Sequence, residues 1–148
     1  MPADRDTILR MRIAFIADVR GVDPASFDQE FLDATAAYLD DVIAGDRIRT
    51  WLAEDPAAGA VGVVSVLTTD APPLPDTLLA KEGYLVNMWV DPAFRRKGIA
   101  RRLLDTAITA APTEGWRRIW LFATDDGRPL YEAAGFRPNP RWMGLRTS

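Results

Sequence analysis

The segment Phe94-Arg95-Arg96-Lys97-Gly98-Ile99-Ala100-Arg101-Arg102 joins a β-rich run to the start of a helical pattern. A helix N-terminus presents unpaired N–H groups and a partial positive charge, and the small residues Gly98 and Ala100 let that backbone approach a phosphate closely. Flanking Arg and Lys side chains add countercharge, so a diphosphate suits the segment. The plainer alternative is a solvated basic surface in which Gly98 serves only the turn into the helix. Positive side chains at that end, however, oppose the helix dipole unless an anion is present. Neither the Gly-x-x-x-x-Gly-Lys-Ser/Thr phosphate loop nor the Gly-x-Gly-x-x-Gly dinucleotide fingerprint occurs. The chain contains no His and no Cys. That excludes Cys-His and Ser-His-Asp nucleophilic catalysis, an imidazole base, disulfides and the usual Cys/His zinc sites. Any reaction must run on carboxylates, Tyr, Lys, hydroxyls, backbone amides or water.

The elements that position this segment follow from periodicity. Asp4 or Asp6 caps a first helix that carries Ile8, Met11, Phe15 and Val19 on one face and ends near Gly21. A second helix is expected with Ser26 as cap and Phe27, Phe31, Ala34, Tyr38 and Val42 as its buried stripe, stopped by Gly45. Residues 48–54 and 60–68 read as an antiparallel hairpin across a turn at 55–59, with Gly62 marking a bulge. Pro72, Pro73 and Pro75 make 71–83 a loop. A strand over 84–90 closes on Asp91-Pro92, and Ile99, Leu103, Ala107 and Ala110 recur on a helical face that Pro112 should end. A strand over 118–123, a helix over 129–134 before Gly135 and a short last strand over 142–146 complete the order. This succession implies an α/β (α+β) fold with a mixed sheet.

A chain of 148 residues, 48% of them hydrophobic, buries roughly 70% of its unfolded surface, so one domain over residues 1–148 is expected. The net charge of −3 gives no global attraction to nucleic acid or to an anionic membrane. Apolar runs fall short of the roughly 20 residues that span a bilayer, and Met1 to Asp6 hold no signal-peptide core. A cytoplasmic protein is expected. From Gly21 to Asp46 there is no Lys or Arg, whereas Asp23, Asp28, Glu30, Asp33, Asp40, Asp41 and Asp46 are acidic. Such a stretch either attracts a cationic acceptor or forms a solvated face.

Arg95-Arg96-Lys97-Gly98-Ile99-Ala100 resembles the Arg/Gln-x-x-Gly-x-Gly/Ala signature of the GCN5-related N-acetyltransferases, and Val90-Asp91-Pro92 resembles the close of their fourth strand. Pro129-Leu130-Tyr131-Glu132-Ala133-Ala134-Gly135-Phe136 is similar to the family's later Leu-Tyr-Glu-x-x-Gly-Phe element, at the expected distance. The resemblance covers about residues 4–146. It implies a mixed, mainly antiparallel sheet with splayed central strands flanked by helices, acetyl-CoA as cosubstrate without a metal, and transfer of acetyl to a primary amine of a small molecule or peptide by direct attack. The pantetheine arm would lie against the backbone of Met88, Trp89 and Val90, the diphosphate would rest on the amides of Arg96, Lys97, Gly98, Ile99 and Ala100, and Arg95 would also bind the cofactor. Tyr131 would sit near the thioester sulfur as acid for the thiolate, and Glu82, just before the fourth strand, is the candidate base unless it is a surface residue. Asn87 either bonds substrate or caps a bulge. Two departures stand out: the family's usual first strand is missing or very short, and Thr124 replaces the Asn that often bonds the cofactor arm. The acceptor would lie against the two leading helices and loop 71–83, with Trp51, Trp89, Tyr38 and Phe27 available for an aromatic pocket. A homodimer is common in similar proteins. A non-catalytic acyl-CoA-binding regulatory module is the alternative, and nucleic-acid binding is disfavoured for want of a second basic patch.

Overall fold

A computed structural model describes residues 2–148, with side chains described from residue 4 onward. Helices α1 (Pro2–Arg20) and α2 (Gln29–Ala44) precede strands β1 (Ile48–Asp55), β2 (Gly59–Asp70) and β3 (Lys81–Val90). Helix α3 (Ile99–Glu114), strand β4 (Trp116–Trp120) and helix α4 (Arg128–Ala133) follow. The strands lie in the order β1-β2-β3-β4, antiparallel except for the parallel β3-β4 pair, which is the mixed, mainly antiparallel sheet that the sequence implied. Among the described residues no strand precedes α1.

Helix α3 covers one face of the sheet. Its period places Ile99, Leu103, Leu104 and Ala107 inward, where they pack with Val64, Val66 and Leu85. Gly62 permits this approach, since a Cβ there would stand 3.2 Å from both Ile99 Cγ2 and Leu103 Cδ1. On the other face, Ile8 of α1 meets Leu39 and Val42 of α2 over Ile48 and Leu67. The buried side of α2 is therefore turned from the expected stripe: Val42 is buried, but Tyr38 is half exposed and Ala34 exposed.

Several boundaries differ from the expected ones for local reasons. Asp28, not Ser26, caps α2 by accepting from the Phe31 N–H at 2.9 Å, and the Ser26 hydroxyl instead closes a short turn on the Asp23 carbonyl. Pro112 does not end α3, which runs to Glu114 and stops at Gly115, in the left-handed region at φ 76°. Strand β3 begins at Lys81 because Ala71 N–H bonds the Ala80 carbonyl and closes the proline loop there. Strand β4 starts earlier than expected, at Trp116, whose indole N–H donates to Thr68 Oγ1 at 2.9 Å. No strand forms over 142–146. Pro138 and Pro140 remove two ladder donors, Trp142 packs edge-on against Phe122 at 5.2 Å, and Met143 and Leu145 are exposed.

Two irregularities bend the sheet. One lies where Val61 is the extra residue opposite Ala53 and Glu54, beside the glycine expected to mark it. The other is in β3, where Asn87 and Met88 stand between the Val86↔Ser65 and Trp89↔Val63 pairs, and Asn87 takes φ 60°. An extra residue at that point re-aims side chains and frees backbone groups.

Candidate active site

Strand β3 and the edge strand β4 part. The parallel ladder pairs Lys81 with Trp116, Gly83 with Ile119 and Tyr84 with Trp120, and there it ends. Beyond Tyr84, β3 continues to Val90 with no strand along its β4 side among the described residues. Backbone N–H and C=O groups must find partners somewhere, so a bare strand edge inside a fold is a place for an extended polar guest. The bulge at Asn87 and Met88 falls in the middle of this bare edge. Trp89, next along, buries an indole N–H that has no acceptor among the described residues.

Beyond the strand the chain makes a short turn over Pro92–Phe94, capped by the Asp91 carboxylate accepting from Ala93 N–H. Arg96 and Gly98 then adopt left-handed conformations, φ 63° and 79°. This alternation points successive N–H groups into one concavity. Among the described residues, the amides from Arg96 to Arg101 have no protein acceptor, and the first bond of the helix is Arg102 N–H to the Gly98 carbonyl. Nothing lies within 4 Å of where a Gly98 Cβ would be, so the space beside Gly98 is open. The residues present fit a diphosphate.

Not every basic side chain is available. Arg95 donates through Nε to the Val90 carbonyl at 2.8 Å and pairs with Asp18 of α1 at 2.6 Å. It therefore pins the loop to the first helix. The Lys97 ammonium sits 5.3 Å from the centre of the Phe94 ring. Thr124, expected on the cofactor arm, accepts from Gly127 N–H at 3.1 Å and so closes the turn into α4.

Tyr131 is the buried residue of α4, edge-on to Phe136 at 5.8 Å. Burial pushes its hydroxyl up to about 12, so it is a phenol throughout the physiological range. It lines a cleft of about 950 Å³ that also includes Glu82, Trp116, Ile119, Leu121 and Phe136. Glu82 shares this cleft but differs in its electrostatics. Burial opposes its ionisation, but hydrogen bonds from Arg118 at 2.7 Å and Arg117 at 3.0 Å together outweigh it and hold the carboxyl below its usual range. Arg117 also donates to the Pro72 and Leu79 carbonyls, so the cluster ties β3 and β4 to the proline loop. A carboxylate held this way is a poor proton acceptor.

On the α1-α2 face, beside the bulge, lies a cavity of about 160 Å³ lined by apolar side chains with Arg12, Thr35, Tyr38, Tyr84 and Asn87. Arg12 donates to Asn87 Oδ1 at 2.8 Å. Tyr84 stacks on Trp120 at 4.1 Å, at the point where the strands separate. Arg12 had not been singled out in the sequence. Its signal there is a cation inside the apolar face of α1, four residues after Ile8 and three before Phe15.

A family model described as the acetyltransferase (GNAT) family matches residues 14–136. The chain belongs to that family. Among solved structures, a predicted acetyltransferase with acetyl-CoA from Clostridium acetobutylicum is 26% identical, with a TM-score of 0.84 over 97% of this chain and 90% of that one. A GCN5-related N-acetyltransferase from Ralstonia eutropha JMP134 is also 26% identical, with a TM-score of 0.77 over 97% and 93% of the two chains. Glucosamine-6-phosphate N-acetyltransferase from Arabidopsis thaliana, at 17% identity, shares the fold with a TM-score of 0.67 over 92% and 88%. No curated protein matched the chain in sequence. As a GNAT-fold acetyltransferase, the protein has among its described residues no helix long and apolar enough to cross a membrane.

Proposed function

We propose that the protein is an acetyl-CoA-dependent N-acetyltransferase that passes the acetyl group directly to a primary amine. The observation that carries this reading is the run of unpaired amides from Arg96 to Arg101, set at the end of a strand whose β4 side is bare. Arg96, Lys97, Gly98, Ile99 and Ala100 hold the diphosphate through backbone N–H groups, and the edge of Met88, Trp89 and Val90 holds the pantetheine arm. Acetyl-CoA supplies a thioester carbonyl that is open to attack. Beside the bulge, a backbone N–H of β3 is free to donate to the carbonyl oxygen as charge develops on it, the contribution that usually matters most in acyl transfer. Tyr131, kept as a phenol by burial, donates its O–H hydrogen toward the departing sulfur. Glu82 keeps a structural role in this scheme, and the amine loses its proton to water.

The test is calorimetric titration of the metal-free protein with acetyl-CoA, followed by thiol release with a panel of amines. The expected result is saturable binding, a higher melting temperature with cofactor, and thiol release that depends on an amine. Absence of binding at millimolar acetyl-CoA would overturn the reading. Binding without turnover on any amine would support a regulatory module instead.

A further inference from the structure

We propose that the amine acceptor carries a carboxylate, bound by Arg12 in the cavity between α1, α2 and β3. The proposal rests on the acetyltransferase reading and specifies its substrate. Among the described residues Arg12 stands out as an arginine that is partly buried without a countercharge. Arg5 pairs with Asp40, Arg47 with Asp41, Arg49 with Asp46 and Glu114, and Arg95 with Asp18. Arg12 is partly buried, yet among the described residues no carboxylate lies within ion-pair distance of it, and its one hydrogen-bond acceptor is the neutral amide oxygen of Asn87. A guanidinium carries five N–H donors and remains charged in proteins, so most of its donors have no protein acceptor, and its other contact is the Phe15 ring, 5.9 Å away at the centroid. Taking a cation partly out of water costs stability unless an anion joins it.

The cavity itself selects the anion. No Asp or Glu lines it, so it offers an ammonium group no ion pair, whereas Arg12, Thr35, Tyr38, Tyr84 and Asn87 all carry donors. One cation matches one negative charge, and the fork of a guanidinium matches the two oxygens of a carboxylate. A phosphate dianion would leave charge uncompensated. The volume of about 160 Å³ compares with the roughly 150 Å³ engineered cavity that admits benzene, which restricts the bound portion to a small apolar or aromatic group beside the carboxylate. The acidic stretch between Gly21 and Asp46 does not compete for this role. Asp23 caps a turn and Asp28 caps α2, Asp33 accepts from Gln29, Glu30 lies outside the cavity lining, and Asp40, Asp41 and Asp46 are paired with arginines.

Asn87 connects the cavity to the chemistry, because it faces Arg12 on one side and belongs to the bulge on the other. With the carboxylate held at Arg12, the free amine attacks the acetyl carbon, the C–N bond forms and the C–S bond breaks. The amine gives up one proton to water and the thiolate takes one, yielding the N-acetyl amino acid and free thiol.

The test uses leucine, phenylalanine and 5-aminopentanoate, each against its carboxamide, at one pH. Thiol release gives kcat/KM, and calorimetry on the protein saturated with CoA gives Kd without turnover. At least one acid should exceed its amide by about 10- to 100-fold in both measures, the range expected for a charge-assisted pair. An α-carboxamide has the more readily deprotonated amine, so in the α-amino pairs amine availability works against that result. Arg12→Gln should erase the preference while KM for acetyl-CoA stays constant, and Arg12→Lys should keep part of it. A preference in binding without any turnover would uphold the pocket and overturn the transfer reading. Equal treatment of every acid and its amide by the wild-type protein overturns the proposal, as does a preference that survives in Arg12→Gln.

Discussion

Replacing Glu82 by Gln separates two roles that a buried carboxylate near a reaction site can play. The Glu82 side chain is 11% exposed, and it accepts hydrogen bonds from Arg117, 10% exposed, and Arg118, 55% exposed. Gln keeps the shape and one acceptor oxygen but removes the charge, so the nearly buried Arg117 loses its counterion. Breaking a fully buried pair costs about 3–5 kcal/mol. Because Arg118 is solvated and Gln retains one bond, we expect about 2–3 kcal/mol, or roughly 5–10 °C in melting temperature for a chain of this length. Urea unfolding across pH adds a second signature. The folded carboxyl titrates below its usual range, so its stabilisation is complete above the unfolded value, about 4.3, and disappears as pH falls through the folded value. The gap between wild type and Glu82→Gln should be constant from pH 5 to 8, on the order of that 2–3 kcal/mol, and should shrink toward pH 3. Well below the melting transition, kcat should change less than about threefold, which is too little for loss of a general base. Unchanged stability with kcat down by about 10² or more would refute the argument and restore Glu82 as base.

Gly98→Glu places a side chain in the open space beside that residue, within the run of unpaired amides and at φ 79°, so acetyl-CoA binding by calorimetry should be lost while the melting temperature falls only by the few degrees that about 1–2 kcal/mol of backbone strain allows. Tyr131→Phe leaves the ring packed and removes only the O–H; steady-state kinetics should show kcat lower by on the order of 10² with KM for acetyl-CoA nearly constant.

Local patterns announced most of the fold. The apolar spacing of Ile8 and Met11, and of Ile99, Leu103 and Ala107, places those residues inside as periodicity requires. Some errors are local, such as the α2 cap at Asp28 and the passage of α3 through Pro112, and others occur where a distant partner decides. Nothing local says that Lys81 to Gly83 are already strand, because what holds them is Arg117 and Arg118, more than thirty residues further on. Residues 142–146 have the aromatic and apolar content of a strand, yet in the fold Trp142 is taken up by Phe122. On α2, Tyr38 fits the helical repeat of Phe31 and Val42, but the true buried face runs through Leu39, one residue around the helix.

The same distinction divides the two halves of the candidate site. The cofactor half is made of consecutive backbone, and a short string with Gly98 at a required left-handed position is enough to announce it, because amides need no partner to be aligned. Even there the side chain with the strongest motif identity, Arg95, is claimed by the Val90 carbonyl and Asp18, and only three-dimensional proximity reveals it. The acceptor half is made of single residues from α1, α2 and β3, and its decisive property is a difference: the charge left over after every nearby pair is formed. Read along the chain, residues 21–46 are negative and suggest a cationic guest. Folding brings Arg5, Arg47 and Arg49 onto Asp40, Asp41 and Asp46, all outside the cavity, and leaves Arg12 as the unpaired charge inside it. Solvent screens the outer pairs to little net effect. The less solvated cation governs which ligand can enter, so the sign of the preferred acceptor group is opposite to the one that charge counting along the sequence would assign.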